Sequence, residues 1–533
     1  MMYDSHKYGK YINNNQETRW ATVEEIQNAG EYINLSDEDY HTAGLPLLSN
    51  GKEAYVDDKD THTLIFGATG SKKTRLFCMP MLNLFAKAGE SFIVTDPKGE
   101  LYAKTSGLVK NKGYKTVVLD FRNIGHGDMW NPLALPYELY HSEDREIGVA
   151  MLNDFITTIA EPMRKGARDP FWPDMAATLA LANLLMLMEY GKKEEINVAS
   201  LASMCSMSCA KDLAEMSENM SEETLAGSNY KGVFVGAENT QKSVYISLYG
   251  MLRVFNVQEN LTRMLSGNTI DMRSIGREKT AVYVIVPDEK TTYHFLVTTF
   301  IKQVYEVLIS EAQKETDFRL PVRVNFVLDE FCNIPKIPDM PAMISAARSR
   351  NMRYYLVAQS MHQLRSKYGE EADTIKGNCD NWVFLTSKEL ALLNEISDLC
   401  GSIRTADGRL RKLISVSELQ RLDKNKGEAL IMHARQYPLI TEMADIDMYE
   451  AFKGYESVEL EKFALPRAQI FSVKALYNKY KSGEIPCPFA PVQAAKPQKE
   501  YIVDPFNDVD SDIKLQKEIE KHFNSMFSNN KKG

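Results

Sequence analysis

From His62 onward the chain alternates short β-rich runs with amphipathic helical stretches: "HTLIFGAT", a helical pattern to Gly89, "SFIVTDPKGE", a helical pattern to Gly113, then "KTVVLDF". Strands separated by helices connect by crossovers rather than hairpins, so this rhythm predicts an α/β fold with a mostly parallel sheet covered on both faces. It breaks near Asn131 and Pro132. Met- and Leu-rich segments with helical periodicity follow in "DMAATLALANLLMLMEYG", "VASLASMCSMSCAKDLAEM" and "KSVYISLYGMLRVFNVQENLTRML". Strand patterns return at "TAVYVIVP" and run through "VRVNFVLDEF", "MRYYLVAQS", "NWVFLTS" and "GEALIMHARQYPLITEMA". One α/β domain is thus expected to be interrupted by an all-helical one and then completed. The expected divisions are a leading segment over 1–59, α/β parts over 60–141 and 269–455, a helical domain over 142–268, and a linker and tail over 456–533.

The ends are polar. In the leading segment Thr22 and Glu25 have capping-box spacing for a helix in "WATVEEIQNAG". Near the C-terminus "CPFAPVQAAKPQKEY" reads as a linker, and "DSDIKLQKEIEKHFNSMF" as a short amphipathic helix or a solvated tail.

Where the first strand meets its helix stands "GATGSKKT": Gly67, Ala68, Thr69, Gly70, Ser71, Lys72, Lys73 and Thr74. A phosphate-binding P-loop reads GxxxxGK[ST], because a glycine-rich turn and a helix N-terminus aim backbone N–H groups at phosphates. Lys73 and Thr74 are in register to reach the phosphates and to hold magnesium. Lys72 stands where the motif has its second glycine. A side chain at a positive-φ position costs about 1–2 kcal/mol and can crowd the phosphates, whereas a second ammonium beside them adds attraction. The sequence leaves the sign of the net effect open.

The strand "VRVNFVLDEF" ends in Asp329 and Glu330, the Walker B arrangement, in which the first carboxylate holds the magnesium shell and the second activates water. Gln359 ends a later strand, where it can sense the terminal phosphate. Catalytic candidates are therefore Lys73, Asp329, Glu330 and Gln359, with Thr74 and Asp329 as metal ligands and ATP and Mg²⁺ as cofactors. Arg348, Arg350 and Arg353 in "AARSRNMR" are arginine-finger or DNA-backbone candidates, set against a solvated helix face. Asp96, Lys98 and Glu100 lie at a strand's C-terminal end, either on a ligand rim or in a tight turn.

The run "DEFCNIPKIPDMPAMISAARSRNMRYYLVAQSMHQLRSKYGEEADTIKGNCDNWVFLTSKE" closely resembles the Walker B to sensor region of the TraG-like type IV coupling proteins, the motors of conjugation and type IV secretion. "IVTDPKGELYAKTSGLVKNKGYKTVVLDF" with "WNPL" is similar to that family's segment after the P-loop, and "TRWATVEEIQNAG" to its pre-motor segment. The resemblance implies a RecA-like P-loop domain carrying an all-helical domain, homo-hexamers around a channel, and ATP-driven handling of relaxase-bound single-stranded DNA for a type IV secretion channel. The sequence departs from the family at Lys72, which motivates an alternative: a nucleotide-binding, non-hydrolysing adaptor of the same apparatus. A general DNA-pumping ATPase of the FtsK/HerA type is the other alternative.

Composition narrows the setting. A net charge of -9 argues against a surface coated in basic charge for duplex binding, though it leaves room for a local basic channel. The seven cysteines are scattered without paired CxxC spacing, which suggests neither a disulfide framework nor a zinc site and fits a reducing compartment. Cys205 and Cys209, neighbours on one helix face, read as buried thiols. No apolar core marks the N-terminus as a signal peptide. "MAATLALANLLMLM" is fourteen residues long, short of the about 20 that span a bilayer. The family's members typically carry N-terminal membrane helices and none is read in this sequence, so a cytoplasmic protein held at the inner face of the membrane by a separate anchoring partner, or by a segment upstream of this sequence, is expected.

Overall fold

In the computed structural model, residues 18–491 are described; the C-terminal stretch read as an amphipathic helix or a solvated tail lies outside them. The strands are β1 (Glu31–Asn34), β2 (Leu45–Ser49), β3 (Glu53–Asp57), β4 (Thr63–Phe66), β5 (Ser91–Asp96), β6 (Lys115–Asp120), β7 (Thr280–Ile285), β8 (Val324–Leu328), β9 (Met352–Ala358), β10 (Asn381–Phe384), β11 (Ser402–Arg404), β12 (Leu410–Lys412), β13 (Glu428–His433) and β14 (Leu439–Glu442). Nine of them form the central sheet in the order β14-β13-β10-β4-β9-β8-β5-β7-β6. The strands from β10 to β6 are parallel, and β13 and β14 extend the sheet as an antiparallel pair. The parallel strands are buried along their whole lengths apart from the start of β6 and Trp382 in β10, as a sheet covered on both faces requires.

This order places β9 between β4 and β8. The C-terminal ends of the P-loop strand, the Gln359 strand and the Asp329 strand therefore lie side by side on one rim, where open α/β sheets bind ligands.

Between β6 and β7 the chain is helical, from Ala134–Tyr140 through Arg145–Gly166, Phe171–Tyr190, Val198–Ser203, Met207–Ser217, Leu225–Phe234, Glu238–Met251 and Arg253–Val257 to Glu259–Met264. The run "VASLASMCSMSCAKDLAEM" breaks into two helices because the Ser206 side chain caps a new start at the Cys209 N–H. Phe171–Tyr190 is a twenty-residue helix, longer than its fourteen-residue apolar stretch. Among the described residues it alone is long and apolar enough to cross a bilayer, and 61% of its most apolar window is buried within the structure. Its Asn183 accepts a hydrogen bond from the buried Tyr230 hydroxyl at 2.9 Å. All seven cysteines are free thiols; Cys205 is buried and Cys209 partly so.

Two segments differ from the sequence reading. The leading segment contains the capped helix Val23–Ala29, with its Thr22–Glu25 box formed, but also a three-stranded antiparallel sheet, β1-β3-β2. Its strands are four or five residues long and a register shift between Pro46 and Leu48 blurs their alternation. Beyond Tyr455 the chain does not behave as a free linker. It bonds Ser106 through the Val458 N–H and Gly125 O through the Phe463 N–H, then gives Gln469 O to Asn197. It ends in the helix Val473–Lys481, whose Lys474 pairs with Asp212 of the helical region.

Candidate nucleotide site

β4 ends at Phe66, and the chain turns through residues 67–73 into a helix that opens with a π turn, Thr74–Cys78, and continues as Met79–Ala88. Pro80 has no N–H to give Leu76 and would crowd that carbonyl, so the turn widens and Met79 N–H bonds Thr74 O. The loop is fastened to the chain leaving both neighbouring strands: Gly67 N–H donates to Ala358 O at 3.1 Å and Ala68 N–H to Thr386 O at 2.9 Å. A Cβ on Gly67 would stand 2.4 Å from Ser71 Oγ and 2.8 Å from Lys73 Cγ, so glycine is required there. Gly70 adopts φ +77°.

Lys72 also takes a left-handed backbone, φ +68°, so the replacement of the second glycine carries the conformational cost expected of it. Its side chain leaves the loop. Nζ lies 3.3 Å from Asp445 Oδ2, which also accepts Arg75 Nε at 3.1 Å, while Arg75 Nη2 bonds Asp445 Oδ1 and Asp447. Burial works against ionisation of Asp445, yet the hydrogen bonds from Arg75 and Lys72 hold its carboxyl below the usual range.

The predicted chemistry-bearing residues converge on this rim. Lys73, 6% exposed, donates from Nζ to Gly67 O at 2.6 Å and lies 3.8 Å from Glu330 Oε1. Thr74 Oγ1 donates to Asp329 Oδ2 at 3.1 Å. Gln359 Nε2 donates to Glu330 Oε2 at 2.8 Å, and Thr69 Oγ1 to Gln359 Oε1 at 3.3 Å. Asp329 is placed from behind by Thr95 Oγ1, which donates to its carbonyl at 2.8 Å. Glu330 adopts φ +53°, the strained kind of backbone that concentrates at functional sites. Burial, reinforced by the Glu330 charge and opposed by Lys73, pushes the Asp329 carboxyl up to about 6.

ATP and Mg²⁺ fit these residues. Thr74 and Asp329 present oxygen donors of the kind magnesium takes while it keeps waters and phosphates as its other ligands. Among the described residues no cluster of three His, Cys, Asp or Glu side chains forms a self-sufficient metal cage, as a metal shared with phosphates needs none. Buried Ser71 Oγ has no partner and sits inside the turn that Gly67 keeps open.

Other candidates fall away from the rim. Arg353 is fully buried in β9, paired with Glu90 and bonded to Asn325 Oδ1 at 2.8 Å and Ala43 O at 3.0 Å, so it cannot serve as a finger. Arg348 and Arg350 precede β9, at the opposite end of that strand from Gln359, and Arg348 pairs with Asp380 at 2.8 Å. Asp96 closes a tight turn: it accepts Tyr102 N–H at 2.8 Å, with Gly99 at φ +75° starting the next helix. Arg75, Thr95 and Asp445 also serve the site and belong to no sequence motif. Asp445 lies 373 residues from Lys72, and no local pattern marks it.

The class this fold and rim define is that of RecA-like P-loop proteins carrying an all-α domain. Residues 19–427 match the model of the type IV secretory system conjugative DNA transfer family, and the chain belongs to that family, the TraG-like coupling proteins. It is 26% identical over 417 residues to a conjugal transfer protein TraG of Escherichia coli, covering 70% of this chain and 62% of the relative. A second Escherichia coli TraG is 24% identical, covering 68% and 60%. The chain thus spans about three-fifths of the length of these relatives. Among solved structures, the plasmid coupling protein TrwB with the non-hydrolysable ATP analogue ADPNP superposes with a TM-score of 0.60 at 14% identity, covering 84% of this chain and 97% of that one. TrwB with ADP and Mg²⁺ gives 0.58 at 13% identity, covering 83% and 95%. These likenesses show a shared fold.

Proposed function

We propose that the chain is an ATP-dependent coupling motor that recruits relaxase-bound single-stranded DNA, or protein substrates, and delivers them to a type IV secretion channel. The observation that supports it most is the convergence of Lys73, Thr74, Asp329, Glu330 and Gln359 on one strand-end rim. Bound ATP with Mg²⁺ would supply the phosphoanhydride whose hydrolysis drives movement. Lys73 would hold the terminal phosphates in exchange for Gly67 O. Thr74 and Asp329 would hold the metal. Glu330, oriented by Gln359, takes the proton of the attacking water, and Gln359 couples that base to Thr69 in the loop. The TrwB structures with ADPNP and with ADP and Mg²⁺ support the choice of cofactors. We further propose a homo-hexamer, since a RecA-like site is completed by its neighbour, working at the cytoplasmic face of the membrane.

The adaptor reading has one observation in its favour, the left-handed Lys72. Against it stands the placement of that side chain on Asp445. Transfer of a relaxase-bound strand in cells that carry only Glu330→Gln separates the two. A motor loses transfer; an adaptor keeps it.

A further inference from the structure

The P-loop is tied to a segment that no motif includes. Asp445 lies three residues past β14, an antiparallel addition at the far edge of the sheet, and one of its oxygens faces both Lys72 Nζ at 3.3 Å and Arg75 Nε at 3.1 Å. Arg75 also bonds the other Asp445 oxygen and Asp447, so the carboxylate is fixed before Lys72 reaches it. Asp445 and Lys72 are 21% and 31% exposed at their side chains, which shields the pair from solvent in part. Lys72 is the P-loop residue that has a Cβ and a positive φ; Gly70 reaches such a φ with no side chain.

We propose that Asp445 is a positioning residue for the nucleotide site: it holds Lys72, and through it the loop backbone, in the left-handed conformation that a glycine would supply unaided. The proposal rests on the nucleotide-binding reading above. The tether does two things at once. It fixes the turn of the loop backbone at Lys72, next to Ser71, whose N–H closes the turn on Ala68 O at 3.0 Å, and it keeps the Lys72 ammonium on Asp445.

The test is equilibrium binding of a fluorescent ATP analogue with Mg²⁺ to the full chain and to the variants Asp445→Asn, Lys72→Met, Lys72→Gly and Lys72→Gly/Asp445→Asn, with Asp447→Asn as control. Asp445→Asn and Lys72→Met should each weaken binding roughly fivefold, equivalent to ~1 kcal/mol. Lys72→Gly should bind as wild type or better, and adding Asp445→Asn to it should change binding less than twofold, because glycine needs no tether. Asp447→Asn, which leaves Lys72 held, should match wild type. Tighter binding by Asp445→Asn would overturn the proposal, since a released Lys72 would then be a phosphate ligand. Equal weakening by Asp445→Asn in the Lys72 and Gly backgrounds would overturn it too, assigning the effect to Arg75. If Asp445→Asn does not fold, Lys72→Met against Lys72→Gly decides, with equal affinities refuting the tether. A wild-type chain that binds no nucleotide would instead refute the underlying reading.

Discussion

Asp329→Asn should stabilise the nucleotide-free protein while abolishing its stabilisation by MgATP. The Asp329 carboxyl is buried, and its folded-state pKa is raised from 3.8 to about 6. Between those values the folded state binds more protons than the unfolded one, so stability falls as pH rises through this window and the deficit is complete above about pH 6. A shift from 3.8 to about 6, at 1.36 kcal/mol per unit, sets an upper figure of roughly 3 kcal/mol for the cost of the ionised carboxylate. Asparagine removes the charge and keeps an oxygen for the Glu330 N–H, while its amide faces the Thr74 hydroxyl, which can accept. Unfolding followed by thermal melts without nucleotide should show the variant more stable than wild type by about 1–3 kcal/mol at pH 7.5, with the gap narrowed to about half at pH 5 and closing only below the unfolded value of 3.8. Adding MgATP should raise the wild-type midpoint by mass action and leave the variant unmoved. A variant less stable than wild type at pH 7.5, or a gap independent of pH, would refute the electrostatic argument.

Gly67→Ala places a Cβ 2.4 Å from Ser71 Oγ and 2.8 Å from Lys73 Cγ, so it should abolish nucleotide binding measured by calorimetry while the far-ultraviolet circular dichroism stays that of wild type. Glu90→Ala leaves the fully buried Arg353 without its carboxylate and should cost about 3–5 kcal/mol in denaturant unfolding, which distinguishes a structural arginine from a finger whose loss would spare the fold.

The central sheet was legible because each strand is a short apolar run bounded by helical periodicity, and the site because P-loop, acidic pair and Gln359 each sit at a strand end. Their convergence needed one non-local fact, that β9 lies between β4 and β8. What the sequence concealed depends on long-range contacts. Arg353 looked exposed in "AARSRNMR", yet its strand position turns it onto Glu90, 263 residues away. The stretch after Tyr455 has linker composition, yet Ser106, Gly125 and Asn197 supply its backbone with partners. Lys72 raised a question that its own neighbours could not answer, because the carboxylate that receives it arrives from the end of the sheet domain.

The most direct test of the motor account is ATP hydrolysis by the purified chain, with and without single-stranded DNA, beside Lys73→Ala and Glu330→Gln. The account predicts turnover in wild type that single-stranded DNA stimulates, and its loss by about 10²–10⁴-fold in Glu330→Gln with nucleotide binding retained. Hydrolysis unchanged by Glu330→Gln, or none in wild type under any condition, would contradict it.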